Sequence, residues 1–310
     1  MSGFHMNIAI PAIDIPSLVA TGRALPQPAA DAPSRSFESG SLFVDLSCAD
    51  SVTLLPQQGL GRQVIVSVTN GQEKALQALS MEGGTVAGAG CAKGESGDFI
   101  LRLAPDKVLR IQQTGGFDIR GGRFTGPVTI EAAGSGTVTL DGTGGLTVRQ
   151  RAAGDVFVGT VDGVVDAEMH GSGDLHIGEG AISSLNVSMA GSGDLTLGRA
   201  AIGPVHLVLN GSGDLVADRV SGAVDALTTG SGDISIASVT ADTVHVAGEG
   251  SGDIVLRSGR IGNLTAERLG KGDLLVQATI AGGSVSHRGT GDVTLPHVTG
   301  PLTRTGSQEE

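Results

Sequence analysis

Aromatic residues are scarce in this sequence. Trp and Tyr are absent, and Phe occurs only seven times in 310 residues. Nucleobases and sugar rings are usually held by stacking on such aromatic side chains. Their scarcity argues against a stacking platform for either kind of ligand.

Basic charge and long apolar runs are also lacking. Lys and Arg total 20 against 32 Asp and Glu, which gives a net charge of −12. Neutralising phosphates requires clustered Lys and Arg, so we expect no nucleic acid partner. No apolar run approaches the roughly eighteen residues that a membrane-spanning helix needs, so the sequence predicts no transmembrane segment.

Cysteine is limited to Cys48 and Cys91. An even pair in an exported chain allows one disulfide, which stabilises by roughly 3–4 kcal/mol in the chain-entropy model; two small buried thiols are the alternative. Residues Met1–Met6 have neither the basic nor the apolar region of a signal peptide, and His5-Met6 resembles the end of a purification tag. We therefore expect an exported, extracytoplasmic protein whose export signal has been removed.

Glycine, by contrast, is abundant, with 51 residues that recur in phase. The phrase Gly-Ser-Gly-Asp occurs five times, at Gly171–Asp174, Gly191–Asp194, Gly211–Asp214, Gly230–Asp233 and Gly250–Asp253. Degenerate copies keep the spacing, with aspartates at Asp98, Asp118, Asp155, Asp273 and Asp292 and with Thr137 replacing one of them. Steps of 18 to 20 residues over eleven units predict the stacking of one repeated structural unit.

Apolar and polar residues alternate on both sides of the repeated phrase, and this period of two predicts strands. After the phrase, two apolar columns are expected to face inward: Leu175, Leu195, Leu215, Ile234, Ile254, Leu274 and Val293, then Ile177, Leu197, Ala217, Ile236, Leu256, Val276 and Leu295. Before it stand Val165, Leu185, Val205, Val224, Val244 and Leu264, then Ala167, Val187, Leu207, Ala226, Val246 and Ala266. The residues between these last two columns are polar and are expected to face water: Asp166, Asn186, His206, Asp225, His245 and Thr265.

Each repeat also has a third apolar position, occupied by Ile182, Ile202, Val220, Val239, Ile261, Ile280 and Val298. Three short sides per coil predict a triangular tube. The sequence therefore predicts an all-β fold, a right-handed, single-stranded parallel β-helix of about eleven coils, with the handedness taken from the rule for parallel connections. Leucine-rich, ankyrin and tetratricopeptide arrays are excluded because they need a helix in every unit.

Composition divides the chain into three parts. Residues 1–36 are a tag remnant and a Pro- and Ala-rich leader, typical of an extended tether. Residues 37–300 form the β-helix domain, in which 95–300 are the regular repeats. We interpret 37–94, with the helix-forming segment Gln72–Ser80, as an N-terminal cap with irregular coils, because the open end of a sheet must be covered. Residues 301–310 are predicted to be a frayed polar tail.

The repeats resemble a known family. Gly-Ser-Gly-Asp turns about every twenty residues, followed by Leu-x-Leu or Ile-x-Ile and preceded by an alternating strand, are similar to the head GIN domain of auto-transporter adhesins. The resemblance extends over roughly Ser36 to Thr299 and is strongest between His170 and Asp292. It implies a parallel β-helix on an exported or lipid-anchored bacterial envelope protein, and it supplies no catalytic residues.

The strongest candidate site is the aspartate column. In the structural interpretation, each carboxylate accepts backbone N–H bonds across a corner whose φ angles favour glycine. Carboxylates about 4.8 Å apart repel by roughly 0.9 kcal/mol in water, which a charged hydrogen bond of about 1.5–3 kcal/mol outweighs. The functional interpretation is a Ca²⁺ ladder, which is disfavoured because only one corner per coil is acidic, so no cofactor is expected. The column comprises Asp155, Asp174, Asp194, Asp214, Asp233, Asp253, Asp273 and Asp292.

Other side chains offer less chemistry. His206 and His245 share a column, but they lie two coils apart, too distant for one Zn²⁺. No Ser-His-Asp arrangement is suggested, so we predict no catalytic residues and no enzyme. We expect a non-catalytic, adhesin-like or cell-envelope scaffold module whose partner is a protein or a surface glycan. The alternatives are a polysaccharide-active enzyme, which coils of equal length disfavour because they leave no cleft, and a Ca²⁺-binding or polymer-forming β-helix.

Overall fold

A computed structural model describes residues 24–46, 49–71, 73–88 and 96–306. Within these ranges the chain forms 28 strands and one short helix, α1 (Glu73–Gln77). The strands stack as a parallel β-solenoid of about ten turns. This architecture confirms the predicted all-β parallel β-helix.

Two long sheets run along the tube and meet at the glycine corners. The first sheet contains β2 (Ser41–Asp45), β6 (Thr85–Ala87), β8 (Val108–Gln113), β10 (Pro127–Ala132), β12 (Gly145–Gln150), β14 (Gly163–Met169), β16 (Ala181–Met189), β18 (Val205–Leu209), β20 (Val224–Thr228), β21 (Ile234–Gly248), β23 (Gly259–Arg268), β26 (Gly283–His287) and β28 (Leu302–Gly306). The second sheet contains β3 (Ala49–Pro56), β7 (Gly97–Leu103), β9 (Asp118–Arg123), β11 (Val138–Thr143), β13 (Val156–Val161), β15 (Leu175–Glu179), β17 (Leu195–Ile202), β19 (Leu215–Ser221), β22 (Ile254–Leu256), β24 (Leu274–Val276) and β27 (Val293–Thr294). The long strand β21 contributes to both sheets.

The predicted inward columns form the core. From Val165 to Val276, no member of the four columns is more than 4% exposed. Alternation explains this burial, because every second side chain of a strand points to the same face. Alternation places Ser235 and Val255, between the two inward columns that follow the phrase, on the outer face, yet both residues are buried. They lie between Val216 and Leu275 in one outward column, where stacked neighbours cover one another.

A third side closes the tube, as predicted. Ile182 pairs with Ile202, and the pairing continues coil by coil to β25 (Thr279–Ile280). The members from Ile182 to Ile280 are buried, while Val298 is only partly buried against the core. One detail differs from the prediction, since Ile261 pairs with Ala241 and not with Val239.

The coils near the N-terminus do not stack in sequence order. Strand β2 lies between β6 and β8, and β3 lies between β7 and β9. The coil that contains Asp98 is therefore not next to the coil that contains Asp118, because Ser51 occupies the intervening position. This corrects the simple series inferred from the aspartate spacing. The reason is the strand β4 (Gln63–Gly71), which reverses the chain direction and pairs antiparallel to β7. The later strands β6 and β7 therefore lie on the N-terminal side of β2 and β3.

The N-terminal end is covered by further antiparallel pairs. Strand β1 (Ser34–Glu38) pairs with β4, and β5 (Ser80–Glu82) pairs with β6. The buried amine of Lys107 donates hydrogen bonds to the carbonyl oxygens of Ser39 (2.5 Å) and Gly61 (3.2 Å). Burial lowers the pKa of Lys107, against the opposing effect of Asp106. These contacts tie the covering strands to the first regular coil.

The C-terminal end differs from the expected frayed tail. Strand β28 pairs in parallel with β26, so residues up to Gly306 continue the first sheet. Arg304 pairs with Val285 and thus occupies a position that is apolar in the coils below. A charged residue at an inward position of a terminal strand disfavours further edge-to-edge pairing.

Candidate functional site

The aspartates form a continuous ladder of hydrogen bonds. Each carboxylate from Asp155 to Asp273 accepts the backbone N–H of the aspartate in the next coil, with N–O distances of 2.7–2.9 Å. Asp118 accepts the N–H of Thr137 in the same way at 3.0 Å. At the N-terminal end, Ser51 Oγ donates to Asp98 Oδ1 at 2.5 Å. The carboxylates thus connect successive coils, whereas the structural interpretation of the sequence predicts hydrogen bonds across one corner. We call Asp155, Asp174, Asp194, Asp214, Asp233, Asp253, Asp273 and Asp292 the aspartate ladder.

One member of the ladder shows how its charges interact. Burial raises the pKa of Asp233, and the carboxylates of Asp214 and Asp253 act in the same direction. The hydrogen bond from the Asp253 N–H opposes them. Desolvation and repulsion therefore outweigh the backbone hydrogen bond at this position.

The glycines of the phrase are required by contact between coils. None of the glycines in the five exact phrases has a φ in the left-handed region, so the predicted dependence on φ is wrong. A Cβ on Gly191 would instead collide with the carbonyl oxygen of Gly171, and one on Gly193 would collide with that of Gly173. The same overlap recurs in the following coils. Glycine allows the corners to stack at the spacing of a parallel sheet.

The serines of the phrase lie on the outside of the corner. Ser172, Ser192 and Ser212 are exposed and line a shallow groove of about 590 Å³ together with His170 and Arg151. The groove is open, and glycines and alanines of successive corners complete its lining. It offers hydroxyl and backbone groups to a partner.

A second polar feature runs along the first sheet. Asn186 Nδ2 donates to Asp166 Oδ1 at 2.7 Å, which joins two successive coils. Asp225 contacts two histidines, with His206 Nδ1 at 3.1 Å and His245 Nδ1 at 2.9 Å. All five side chains are exposed, as predicted for this column. We call Asp166, Asn186, His206, Asp225 and His245 the outer row.

Beside the outer row, charges alternate over four coils. Arg110 contacts Glu131 at 2.6 Å, and Arg149 contacts Glu168 at 3.3 Å and Glu131 at 3.9 Å. These ion pairs are exposed, so each contributes only about 0–1 kcal/mol. Their effect is to fix the positions of long side chains beside a groove of about 420 Å³ that Arg149, Glu168 and part of the outer row line.

The metal and disulfide predictions concern the aspartate ladder and the two cysteines. In the described part of the chain, no group of three or more His, Cys, Asp or Glu side chains is arranged to hold a metal ion. The expectation that the aspartate ladder binds no cofactor stays a prediction, with the Ca²⁺ ladder as its alternative. Cys48 and Cys91 lie outside the described residues, so the disulfide also stays a prediction.

Sequence reasoning missed the polar residues beneath the corners. Gln113 Nε2 donates to the carbonyl oxygen of Phe117 at 3.2 Å, and Gln150 Nε2 donates to that of Gly154 at 3.0 Å. Both glutamines are fully buried. They satisfy carbonyl groups that point into the tube just before the second-sheet strand. Their place in one column with Ala132, Met169 and Met189 was the available signal.

Arg268 occupies the same column farther along the tube and is only 1% exposed. Its Nη2 donates to the carbonyl oxygen of Gly252 at 3.0 Å, while Nε and Nη1 have no partner. Burial lowers the pKa of Arg268, against the opposing effect of Asp253 and Asp273. A Cβ on Gly248 would overlap the guanidinium, so glycine in one coil makes room for arginine in the next.

Comparison with known proteins places these features in a family. The family model described as "Putative auto-transporter adhesin, head GIN domain" matches residues 106–236 and 205–300. A crystal structure described as a "putative adhesin" from Bacteroides fragilis is 14% identical to this chain, with a TM-score of 0.37. That match covers 87% of this chain and 99% of the other. No curated protein sequence matches this chain, and none of the described helices is long and apolar enough to span a membrane.

Proposed function

The chain belongs to the head GIN domain family, and on that premise we propose that it is a non-catalytic, adhesin-like binding module of the bacterial cell envelope. It acts outside the cytoplasm and contacts a protein or a surface glycan. The observation that carries the proposal is the outer row, in which hydrogen bonds between coils hold exposed polar side chains at fixed spacing.

The outer row suits recognition of an extended partner. Its strands repeat at about 4.8 Å, so five coils present side chains over roughly 20 Å. Asp225 holds both histidines by their Nδ1 atoms, which fixes the ring orientations before a partner arrives. Fixing side chains in advance lowers the entropy lost on binding.

The alternative of a polysaccharide-active enzyme is less well supported. Such a site needs convergent acids and a cleft that encloses the substrate. The described coils from Asp118 to Asp292 have nearly equal lengths, and the candidate surfaces are two open grooves of about 590 and 420 Å³ that do not enclose a substrate.

A binding assay with intact bacterial cells tests the proposal. Beads coated with the protein are expected to retain cells, and an Asn186→Lys/Asp225→Lys variant is expected to retain far fewer. Arg199→Ala is the matched control, because Arg199 is exposed and contacts only Glu179 among the described carboxylates, away from the outer row. Equal retention by all three proteins would contradict the role of the outer row, and turnover of polysaccharides would favour the enzyme.

Location is tested separately. The full gene, expressed with an epitope tag in the bacterium that encodes it, should yield protein in the periplasmic or surface fraction. Recovery of the protein only from the cytoplasm would contradict the proposal.

A further inference from the structure

The C-terminal end of the tube contains a pocket that lies apart from the outer row. It has a volume of about 870 Å³ and is lined by β28 and the last glycine corner, including His287, Arg288, Asp292 and Arg304. We propose that this pocket binds an oxyanion, the carboxylate or phosphate group of a small soluble ligand. The proposal is independent of the adhesin-like function.

The pairing of β28 with β26 determines the position of Arg304. Arg304 pairs with Val285 in register, and the coils below have Ala266 and Val246 at this position. Those three side chains are buried in the tube. Because alternate side chains of a strand share a face, Arg304 belongs to the inward face of β28 and lines the pocket at the open end.

His287 supplies a second polar group. Its Nε2 atom is buried and has no hydrogen-bond partner among the described residues. A buried polar atom without a partner is uncommon in folded proteins and calls for an explanation. His287 lines the pocket, and if its ring turns so that Nε2 faces the pocket, the Nε2–H group donates a hydrogen bond to the oxyanion.

The charge around the pocket points the same way. The chain as a whole has a net charge of −12, yet Arg288 and Arg304 line this pocket, and Asp292 is the single acid among the described residues that line it. No carboxylate among the described residues forms an ion pair with either arginine. Guanidinium groups bind carboxylate and phosphate through paired hydrogen bonds, and pockets of about 300–1,000 Å³ suit small ligands.

Calorimetric titration with defined probes tests the proposal. Glucuronate and inorganic phosphate are the two oxyanion probes, and glucose is the neutral control for glucuronate. We expect at least one oxyanion to bind with a Kd of about 1 mM or tighter and glucose not to bind. The stronger of the two oxyanions then identifies the ligand class, while no binding of either up to about 10 mM would overturn the proposal.

Variants locate the binding. Arg304→Gln and Arg288→Gln are each expected to weaken oxyanion binding about tenfold or more, because each removes a charged donor. Arg199→Gln is the control, since it removes an equally exposed guanidinium elsewhere. Arg304→Lys keeps the charge, and it should bind more tightly than Arg304→Gln if the latter is folded, as checked by circular dichroism. Unchanged affinity in both glutamine variants would show non-specific association with the surface and overturn the proposal.

Discussion

Replacing Asp233 by Asn and by Ala separates the two effects of one carboxylate in the aspartate ladder. Asp233 Oδ1 accepts the Asp253 N–H at 2.8 Å, and such a bond to a charged group contributes about 1.5–3 kcal/mol, against about 0.5–1.5 kcal/mol for a neutral one. Removing the charge also relieves repulsion from Asp214 and Asp253, about 0.9 kcal/mol each in water at 4.8 Å. For Asn, the relief of repulsion and of charge burial outweighs the weaker hydrogen bond, so Asp233→Asn should be slightly more stable than the native protein near neutral pH. For Ala the acceptor is lost, so we expect Asp233→Ala to be about 1 kcal/mol less stable than Asp233→Asn.

Urea unfolding followed by circular dichroism measures these differences. Asp242→Ala is the control, because the exposed Asp242 lies outside the ladder. Added salt should favour the native protein over Asp233→Asn, since salt screens the repulsion that Asn removes. If Asp233→Ala is as stable as Asp233→Asn, the carboxylate oxygen does not hold the coils together and the reasoning fails.

The pH dependence of stability in the native protein and in Asp233→Asn provides a further check. Burial raises the pKa of Asp233, so the folded protein binds this proton more readily than the unfolded chain. Protonation of Asp233 therefore stabilises the fold. This contribution is complete below the pKa of about 3.9 that Asp has in the unfolded chain, and it is lost as the pH rises through the raised pKa of the folded protein. Asp233→Asn should therefore gain stability relative to the native protein as the pH rises from about 3 to 7. A constant difference across this range would contradict the direction of the shift.

Three other predictions follow from the ladder and the core. Thr137→Asp supplies a carboxylate where the ladder is interrupted, and it should raise the unfolding free energy by up to about 1 kcal/mol after repulsion is subtracted; a loss in urea unfolding would contradict this. Arg268→Met removes a buried charge with two unpartnered nitrogens, so the unfolding free energy should stay the same or rise. Arg268→Ala should lower it by about 2–5 kcal/mol because it leaves a cavity. Equal losses of unfolding free energy in the two variants would refute this prediction. Because Oδ1 of each aspartate from Asp155 to Asp273 already accepts an N–H, melting temperatures in calcium and in chelator should agree, and a rise with calcium would favour the Ca²⁺ ladder.

The regular coils could be predicted from the sequence because the pattern that defines them is local. Leu175 and Ile177 stand two residues apart after an aspartate, and the same spacing recurs in the following coils. Period-two alternation then determines which side chains are buried. The structure buries these columns as the pattern indicates.

The order of the first coils could not be read in this way. Nothing near Ser51 or Asp98 in the sequence states that their coils are neighbours, since this contact depends on the path of β4 between them. The role of the glycines was misjudged for a similar reason. Glycine can be required by the φ angle of a turn or by close contact with the next coil, and the sequence looks the same in both cases. Only the approach of Gly173 to Gly193 in the structure distinguishes the two roles. The pocket at His287 and Arg304 likewise requires the three-dimensional position of β28.

The glycines of the Gly-Ser-Gly-Asp phrase let the corners of successive coils stack, and alanine substitution along Gly211–Asp214 measures this role. A Cβ on Gly213 would collide with the Gly193 carbonyl, so Gly213→Ala should lower the unfolding free energy by about 3 kcal/mol or more. Ser212 is exposed, and Ser212→Ala should change the unfolding free energy by less than about 0.5 kcal/mol. Asp214→Ala should fall between them. If Gly213→Ala is tolerated as well as Ser212→Ala, the glycines are not there to let the coils stack, and the account is contradicted.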